Sequence, residues 1–231
     1  MFGYIFELLV GLYLVNIQNK RILKYLPNEM NHIIDIGAHE GQLYQSMNKY
    51  NIKFNQMILF EPYEESFEKI KKINDNRVIA HNVGLGSSNE NKELKINKYN
   101  VTNTFAEPNE KLFKNKIKNI LFSSTKDSSY YLSKNYEIRT LDSYLINATE
   151  PIDLVKIDTE GFELEVLKGA EQALKTGKIR NIVIEKHKKD NYLDYDPLDI
   201  HDFLEKHKYK LVKNFKVYSL GFQDSLYTKL N

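Results

Sequence analysis

Acids that close apolar runs are the residues of this chain best placed for chemistry. Asp153-Leu154-Val155-Lys156-Ile157 reads as a buried strand. Asp158-Thr159-Glu160-Gly161 ends it in acids and a glycine turn, before the amphipathic run Phe162-Glu163-Leu164-Glu165-Val166-Leu167-Lys168-Gly169-Ala170. Asn181-Ile182-Val183-Ile184 ends in a similar way, in Glu185-Lys186-His187. Side chains at the carboxyl ends of parallel strands face the crevice in which α/β proteins bind ligands. Carboxylates and an imidazole gathered there can take a proton from a hydroxyl, which has a very high pKa and reacts better as charge develops on its oxygen. His187 titrates near neutrality when unperturbed and is the first choice of base. Asp158 is the second, and Glu160 and Glu185 complete the candidate catalytic set. The plain alternatives are a helix-capping role for Glu160 and a surface place for His187 among Lys186, Lys188 and Lys189. No dense metal-ligand motif is present. A divalent cation on Asp158 and Glu185 is the lesser alternative, since hard oxygen ligands suit Mg²⁺.

A second strand-to-turn passage precedes the first. Ile33-Ile34-Asp35-Ile36-Gly37-Ala38-His39-Glu40-Gly41 carries G-x-x-x-G rather than G-x-G-x-x-G. The missing glycine weighs against a pyrophosphate, which needs close backbone approach. A ligand without phosphates fits better, and S-adenosylmethionine is one, an adenosine joined to a zwitterionic amino acid. Gly37 and Ala38 would turn beneath it, and Asp35 would hold its amino end. Amides at the helix start after Gly41 would meet its carboxylate. Glu61 stands 20 positions after Gly41, where the next strand should end. An acid there can accept both ribose hydroxyls, as acids do for dinucleotides. Asn82, closing a third strand, would approach the adenine, and Asp158 borders the same crevice from the other side.

The elements needed to bring these positions together alternate along the chain. The spacing predicts strands at His32–Ile36, Met57–Phe60, Arg77–Val83, Ile152–Ile157 and Asn181–Glu185. Between and after them come helices at Gly41–Tyr50, Glu64–Ile73, Phe162–Leu174 and Pro197–Lys206. That alternation is the pattern of βαβ units and a parallel sheet. Gly84–Asn89 is a turn cluster from which Glu93–Asn97 is expected to return as a hairpin strand. Tyr136–Arg139 reads as a strand, with Thr140 capping the helical turn that follows. Lys208–Lys213 and Phe215–Phe222 are expected to form a final antiparallel hairpin. Residues 99–135, rich in Asn, Ser, Lys and aromatics, lack a clean period. A stretch of that length is expected to be a substrate-side insertion.

Bulk properties bound the rest. The 231 residues suit one α/β domain with elaborations, here residues 28–231 after an apolar N-terminal helix at 1–27. A net charge of +2, with lysines scattered among acids, gives no field for nucleic acid. The chain has no cysteine, which excludes disulfides and thiolate metal sites and accords with a cytoplasmic place. Residues 1–17 lack the basic start of a secretory signal and are short for a membrane span. They are expected to pack on the domain or on a second copy. Peripheral membrane contact helped by Lys20, Arg21 and Lys24 is the alternative.

Taken together, the quoted motifs resemble the FkbM-type methyltransferases, within the class I S-adenosylmethionine-dependent methyltransferases. The pieces that carry the likeness are Asp35 to Gly41, Phe60-Glu61-Pro62, Arg139-Thr140-Leu141-Asp142, Lys156 to Glu163 with Leu167-Lys168-Gly169-Ala170, and Ile184-Glu185-Lys186-His187. The likeness covers roughly residues 30–190. It implies a Rossmann-like seven-stranded sheet, mostly parallel with an antiparallel terminal strand and helices on both faces. It also implies O-methylation of a saccharide or small-metabolite hydroxyl. Two rivals stand beside it: a cofactor-binding scaffold without turnover, and a nucleotide-dependent oxidoreductase. The intact Asp35, Glu61 and Asp158 count against the first, and the absent glycine against the second.

Overall fold

Neighbouring residues of the apolar runs pack on opposite sides, as a strand's two-residue period requires. The computed structural model describes residues 15–97, 103–109, 131–217 and 222–230. Residues 15–23 form helix α1. Then follow β1 (Glu29–Ile36), α2 (Gln42–Lys49), β2 (Lys53–Phe60), α3 (Glu64–Ile70), β3 (Val78–His81), β4 (Gly84–Leu85) and β5 (Glu90–Asn97). Next come β6 (Tyr131–Arg139), α4 (Leu141–Leu145), β7 (Ile152–Ile157), α5 (Glu163–Lys168), α6 (Glu171–Lys175), β8 (Ile179–His187), α7 (Pro197–Lys206), β9 (Tyr209–Val217) and β10 (Phe222–Lys229).

Seven strands form one sheet in the order β3-β2-β1-β7-β8-β10-β9. The first five are parallel, and β10 runs antiparallel to both its neighbours. The strand order reverses between β1 and β7, which is where open α/β sheets bind ligands. Ile34, Ile36, Val155, Ile157 and Ile184 pack on one face with residues of α4 to α7. Ile33, Leu59, Leu154 and Val183 pack on the other with Ile22, Leu23, Leu43, Met47 and Ile70. Helices therefore cover both faces, and the central strands are apolar throughout because neither side meets water.

Three expectations about elements are corrected. The helix expected over Phe162–Leu174 is two helices, α5 and α6, parted at Gly169-Ala170. A Cβ on Gly169 would lie 1.9 Å from the Gly86 carbonyl oxygen, so the chain there is pressed against the Gly84–Asn89 turn. The start of α6 is capped from outside, by Asp142 accepting from the amides of Gln172 and Ala173 at 2.8 and 2.9 Å. The strand after the turn does not return as a hairpin. β5 instead pairs antiparallel with β6 in a second sheet of order β4-β6-β5. The final hairpin is shifted, because Asn214 does not break it. Asn214 lies inside β9, where its side-chain oxygen accepts from Ser225 Oγ at 2.7 Å. The expected Thr140 cap is present, accepting from the Ser143 amide.

The described part of the N-terminal segment packs on the domain. Ile22, Leu23 and Leu26 join the second core cluster, and Gln18 Nε2 donates to the Phe215 carbonyl and Asp224 Oδ2 at 2.6 and 2.8 Å. Residues 1–14, on which the second-copy and membrane expectations rest, lie outside the described residues. Among the described residues, no helix is long and apolar enough to cross a membrane.

The close approach at Gly169 is directly checkable. Gly169→Ala must push two backbone segments apart, and should cost about 1–3 kcal/mol of stability, read as a lower urea midpoint at unchanged slope.

Candidate active site

The crevice at the sheet's switch point is built by two loops that touch. Gly37 has φ +77, and a Cβ on it would meet the Asp158 carbonyl oxygen at 1.9 Å, so a side chain has no room. The Asp158 amide donates to the Ile36 carbonyl at 3.0 Å. The amides of Gly37 and Ala38 both donate to the Phe60 carbonyl, at 3.0 and 3.1 Å, tying the first loop to the end of β2. His39 continues the turn at φ +49, a left-handed conformation uncommon for a residue with a Cβ. Gly41, at φ +79, leads into α2.

Glu61 closes β2 and is buried in this wall. Its Oε2 accepts from the His39 amide and its Oε1 from the Tyr63 amide, both at 2.8 Å. Each oxygen keeps acceptor capacity beyond that bond. Burial nevertheless pushes the carboxyl up to about 8. Asn82 Nδ2 donates to the Glu61 and Pro62 carbonyls at 2.9 and 2.8 Å, so this side chain braces the loop that carries Glu61. Asp35, 2% exposed, sits beside Lys156 in the strand register. Burial raises it to about 6, against the pull of Lys156, and its Oδ1 has no hydrogen-bond partner among the described residues.

Lys156 is a largely buried ammonium, its side chain 12% exposed, that sequence reasoning passed over as part of a strand. Its Nζ donates to Asp158 Oδ2 at 2.6 Å. Burial works against its charge, but Asp158, Asp35 and Asp224 outweigh burial and hold it protonated. In return, Lys156 holds Asp158 below the usual carboxylate range despite burial. The clue in the sequence was a lone charge inside an apolar run, two residues before an acid.

Beyond Asp158 lies a second group of acids around one imidazole. β7 and β8 are paired, so the ends that carry Asp158 and Glu185 are adjacent. His187 Nε2 is 3.0 Å from Glu185 Oε2 and 3.6 Å from Glu160 Oε2. His187 is therefore a buried neighbour of the acids rather than a surface residue. Glu160 projects from a turn that no helix cap explains. It sits at φ +53 and is followed by Gly161 at φ +97, where a Cβ would strike the Tyr192 ring at 2.5 Å. Strain of this kind collects at functional sites. Glu163 Oε1 holds the turn by accepting from the amides of Thr159 and Gly161 at 3.1 and 2.9 Å. Tyr192 Oη donates to Glu160 Oε2 at 2.8 Å, and the His187 amide donates to Tyr195 Oη at 2.9 Å. Burial, with Glu185 nearby, raises Glu160 to about 8. Burial and Asp158 raise Glu185 well above the usual carboxylate range.

The insertion reaches the same place. Thr104 Oγ1 donates to the Glu160 carbonyl at 2.6 Å, and the Leu193 amide donates to the Glu107 carbonyl at 2.7 Å. Residues 103–109 thus lie against the Tyr192 loop, beside Glu160. Of the expected substrate-side segment at 99–135, residues 99–102 and 110–130 fall outside the described residues, and residues 131–135 belong instead to β6, which starts before the expected Tyr136. Nonlocal partners such as Tyr192, Thr104 and Asp224 carried no local signal.

A seven-stranded sheet of this order, with acids at the carboxyl ends of β1, β2, β7 and β8, defines a class I methyltransferase fold. The FkbM methyltransferase domain matches residues 35–211, and the chain belongs to that family. The crystal structure of the FkbM methyltransferase from Methylobacillus flagellatus KT is similar at TM-score 0.56 and 16% identity. The match covers 87% of this chain and 44% of that one, so this chain spans under half of that protein's length. Magnesium protoporphyrin IX methyltransferase ChlM from Synechocystis PCC 6803, solved with bound SAM, gives 0.54 at 7% identity, covering 95% and 80%. TrmK from M. capricolum, solved with S-adenosyl-homocysteine, gives 0.51 at 12%, covering 91% and 67%. These likenesses show the fold. No curated protein matches the chain.

The raised carboxyls set a pH dependence. Glu61 and Glu160 bind protons more tightly folded than unfolded, so their stabilising effect is complete below about pH 4.5 and is lost as pH rises through about 8. Each steepens the fall by up to about 1.4 kcal/mol per pH unit within that window. Urea unfolding of the ligand-free protein should show stability falling from pH 6 to 8, with a shallower slope in Glu61→Gln.

Proposed function

We propose that the chain transfers a methyl group from S-adenosylmethionine to a hydroxyl of a saccharide or small metabolite. The observation that carries this reading is the unfilled demand at the switch point. Asp35 Oδ1 is buried without a partner among the described residues, Gly37 lets the first loop close directly on the Asp158 backbone beside it, and Glu61 presents a buried carboxyl at the end of the neighbouring strand. That donor set suits an amino acid joined to a nucleoside and offers no extra glycine for a pyrophosphate.

In this reading Asp35 receives the cofactor's ammonium, directly or through water. Glu61 accepts the ribose hydroxyls, for which its two backbone bonds have already fixed the carboxylate plane. Gly37, Ala38 and Gly41 shape the floor, and Asn82 keeps the Glu61 loop in place near the adenine. When bound, the cofactor supplies a methyl group on a positively charged sulfur. The protein's part is then to align the acceptor oxygen, worth on the order of 7–11 kcal/mol in ideal model systems, and to take up its proton. Proton removal falls to Asp158, Glu160, Glu185 and His187, the polar cluster on the far side of Asp158 from Glu61. Asp158 stays ionised beside Lys156, while Glu160 and Glu185 are held protonated more readily, so the cluster can hold a proton at several oxygens. Residues 103–109 and the Tyr192 loop wall the acceptor side. The low net charge leaves a neutral hydroxylated acceptor as the best match and gives nucleic acid no basic track.

Two measurements separate the two ends of the site. Calorimetry with S-adenosylhomocysteine should show Glu61→Ala weakened by about 5–150-fold, the cost of losing two hydrogen bonds to the ribose at about 0.5–1.5 kcal/mol each. Unchanged affinity would remove the ribose assignment. Transfer of labelled methyl to a panel of glycosides and hydroxylated metabolites should fall by about 10²–10⁴-fold in His187→Ala, with the cofactor affinity of that variant kept.

A further inference from the structure

Two buried glutamates, Glu163 and Glu185, and the partly buried Glu160 crowd the imidazole at the end of β8. Glu185 and His187 are 5% and 7% exposed, and Glu163 is fully buried behind them. Glu185 Oε2 and His187 Nε2 lie 3.0 Å apart, within ion-pair distance of each other, and neither atom makes a further hydrogen bond to any of the described residues. Lys156 does not neutralise them, since its Nζ is committed to Asp158. Buried carboxylates without a matching cation are paired, protonated or bound to a metal.

The spacing of the side chains fits the last of these. One donor atom each from Glu160, Glu185 and His187 lies within 4.8 Å of the other two. An ion about 2.0–2.2 Å from its ligands holds them no more than about 4.4 Å apart, so a small rotamer change closes the set. We propose that Glu160, Glu185 and His187 bind a divalent transition-metal ion of the Mn²⁺ or Zn²⁺ kind. Two carboxylates and an imidazole form a mixed oxygen and nitrogen set. Ca²⁺ and Mg²⁺ favour all-oxygen sites, and the absence of cysteine removes the soft thiolate sites.

The surroundings are those of a built site. Tyr192 Oη fixes Glu160 Oε2 at 2.8 Å, and Tyr195 Oη fixes the backbone at His187. Such outer partners orient metal ligands and are a regular part of metal centres. Glu160 is held at φ +53 by the Glu163 clamp and by the Thr104 bond to its carbonyl, which aims its side chain toward β8. The use of the ion rests on the methyl-transfer reading, although its binding does not. A hydroxyl on a divalent cation is more acidic than one in water. His187 Nε2 would then serve as a ligand, in place of its expected part as base.

The experiment uses the full chain, stripped with chelator and free of cofactor. Calorimetry with Mn²⁺ and with Zn²⁺ should show one saturable site. Glu185→Gln and His187→Gln should each weaken it by at least about 100-fold, beyond the range for outer partners. Electron spin-echo spectra of the Mn²⁺ complex of the unaltered protein should carry ¹⁴N coupling from the imidazole, which needs no variant to fold. No saturable binding of either ion, a Mn²⁺ complex without nitrogen coupling, or variants that bind as well as the parent would each overturn the site. S-adenosylhomocysteine titrated into the same stripped protein reports separately on the cofactor crevice.

Discussion

One largely buried ammonium holds the carboxyl edge of this sheet together. Lys156 stands among Asp35 and Asp224, which are buried, and Asp158, which is partly exposed. Taking a lone carboxylate out of water costs several kcal/mol, and breaking a buried pair from one side costs about 3–5. From Lys156 the consequences run both ways along the sheet. Asp158, kept ionised, belongs to the residue whose carbonyl lies against Gly37, so the cation sits beside the floor of the nucleoside crevice. Asp224, on the other side, accepts from Gln18 of α1. A cofactor-binding edge and a peripheral helix thus share one electrostatic balance.

Much of the family's motif pattern proves to be architecture. Asp142 caps α6, and its own amide donates to the Gly169 carbonyl at 2.9 Å. Gly169 is there because Gly86 leaves no space, and Gly161 because the Tyr192 ring lies over it. Glu163 spends one oxygen on pinning the turn. A match to these residues therefore speaks first for a fold. The residues that speak for chemistry carry buried polar atoms with no hydrogen bond among the described residues: Asp35 Oδ1, and the paired Glu185 Oε2 and His187 Nε2.

The sheet and its acids were legible in the sequence for a physical reason. A strand buried on both faces is an unbroken apolar run, and an acid and glycine at its end mark the turn. That logic found Asp35, Glu61, Asp158 and Glu185 and placed them on one edge. It failed where structure depends on distant partners. Lys156 was hidden because a charge inside an apolar run looks like an irregularity until its three aspartates are seen. Asn214 looked like a break and instead pairs with Ser225 across a hairpin. The contact of Thr104 with Glu160 joins segments whose adjacency no local period encodes.

The bond from Gln18 to Asp224 joins positions 206 residues apart. At synthesis rates of about 5–20 residues per second, roughly 10–40 s separate the emergence of its two ends from the ribosome. For that interval Ile22, Leu23 and Leu26 have only part of their eventual cover, because Phe215 and Leu226 of the same cluster are not yet made. The nascent chain thus carries a sticky helix early and seals it last, which makes this seam a natural place for chaperones to act.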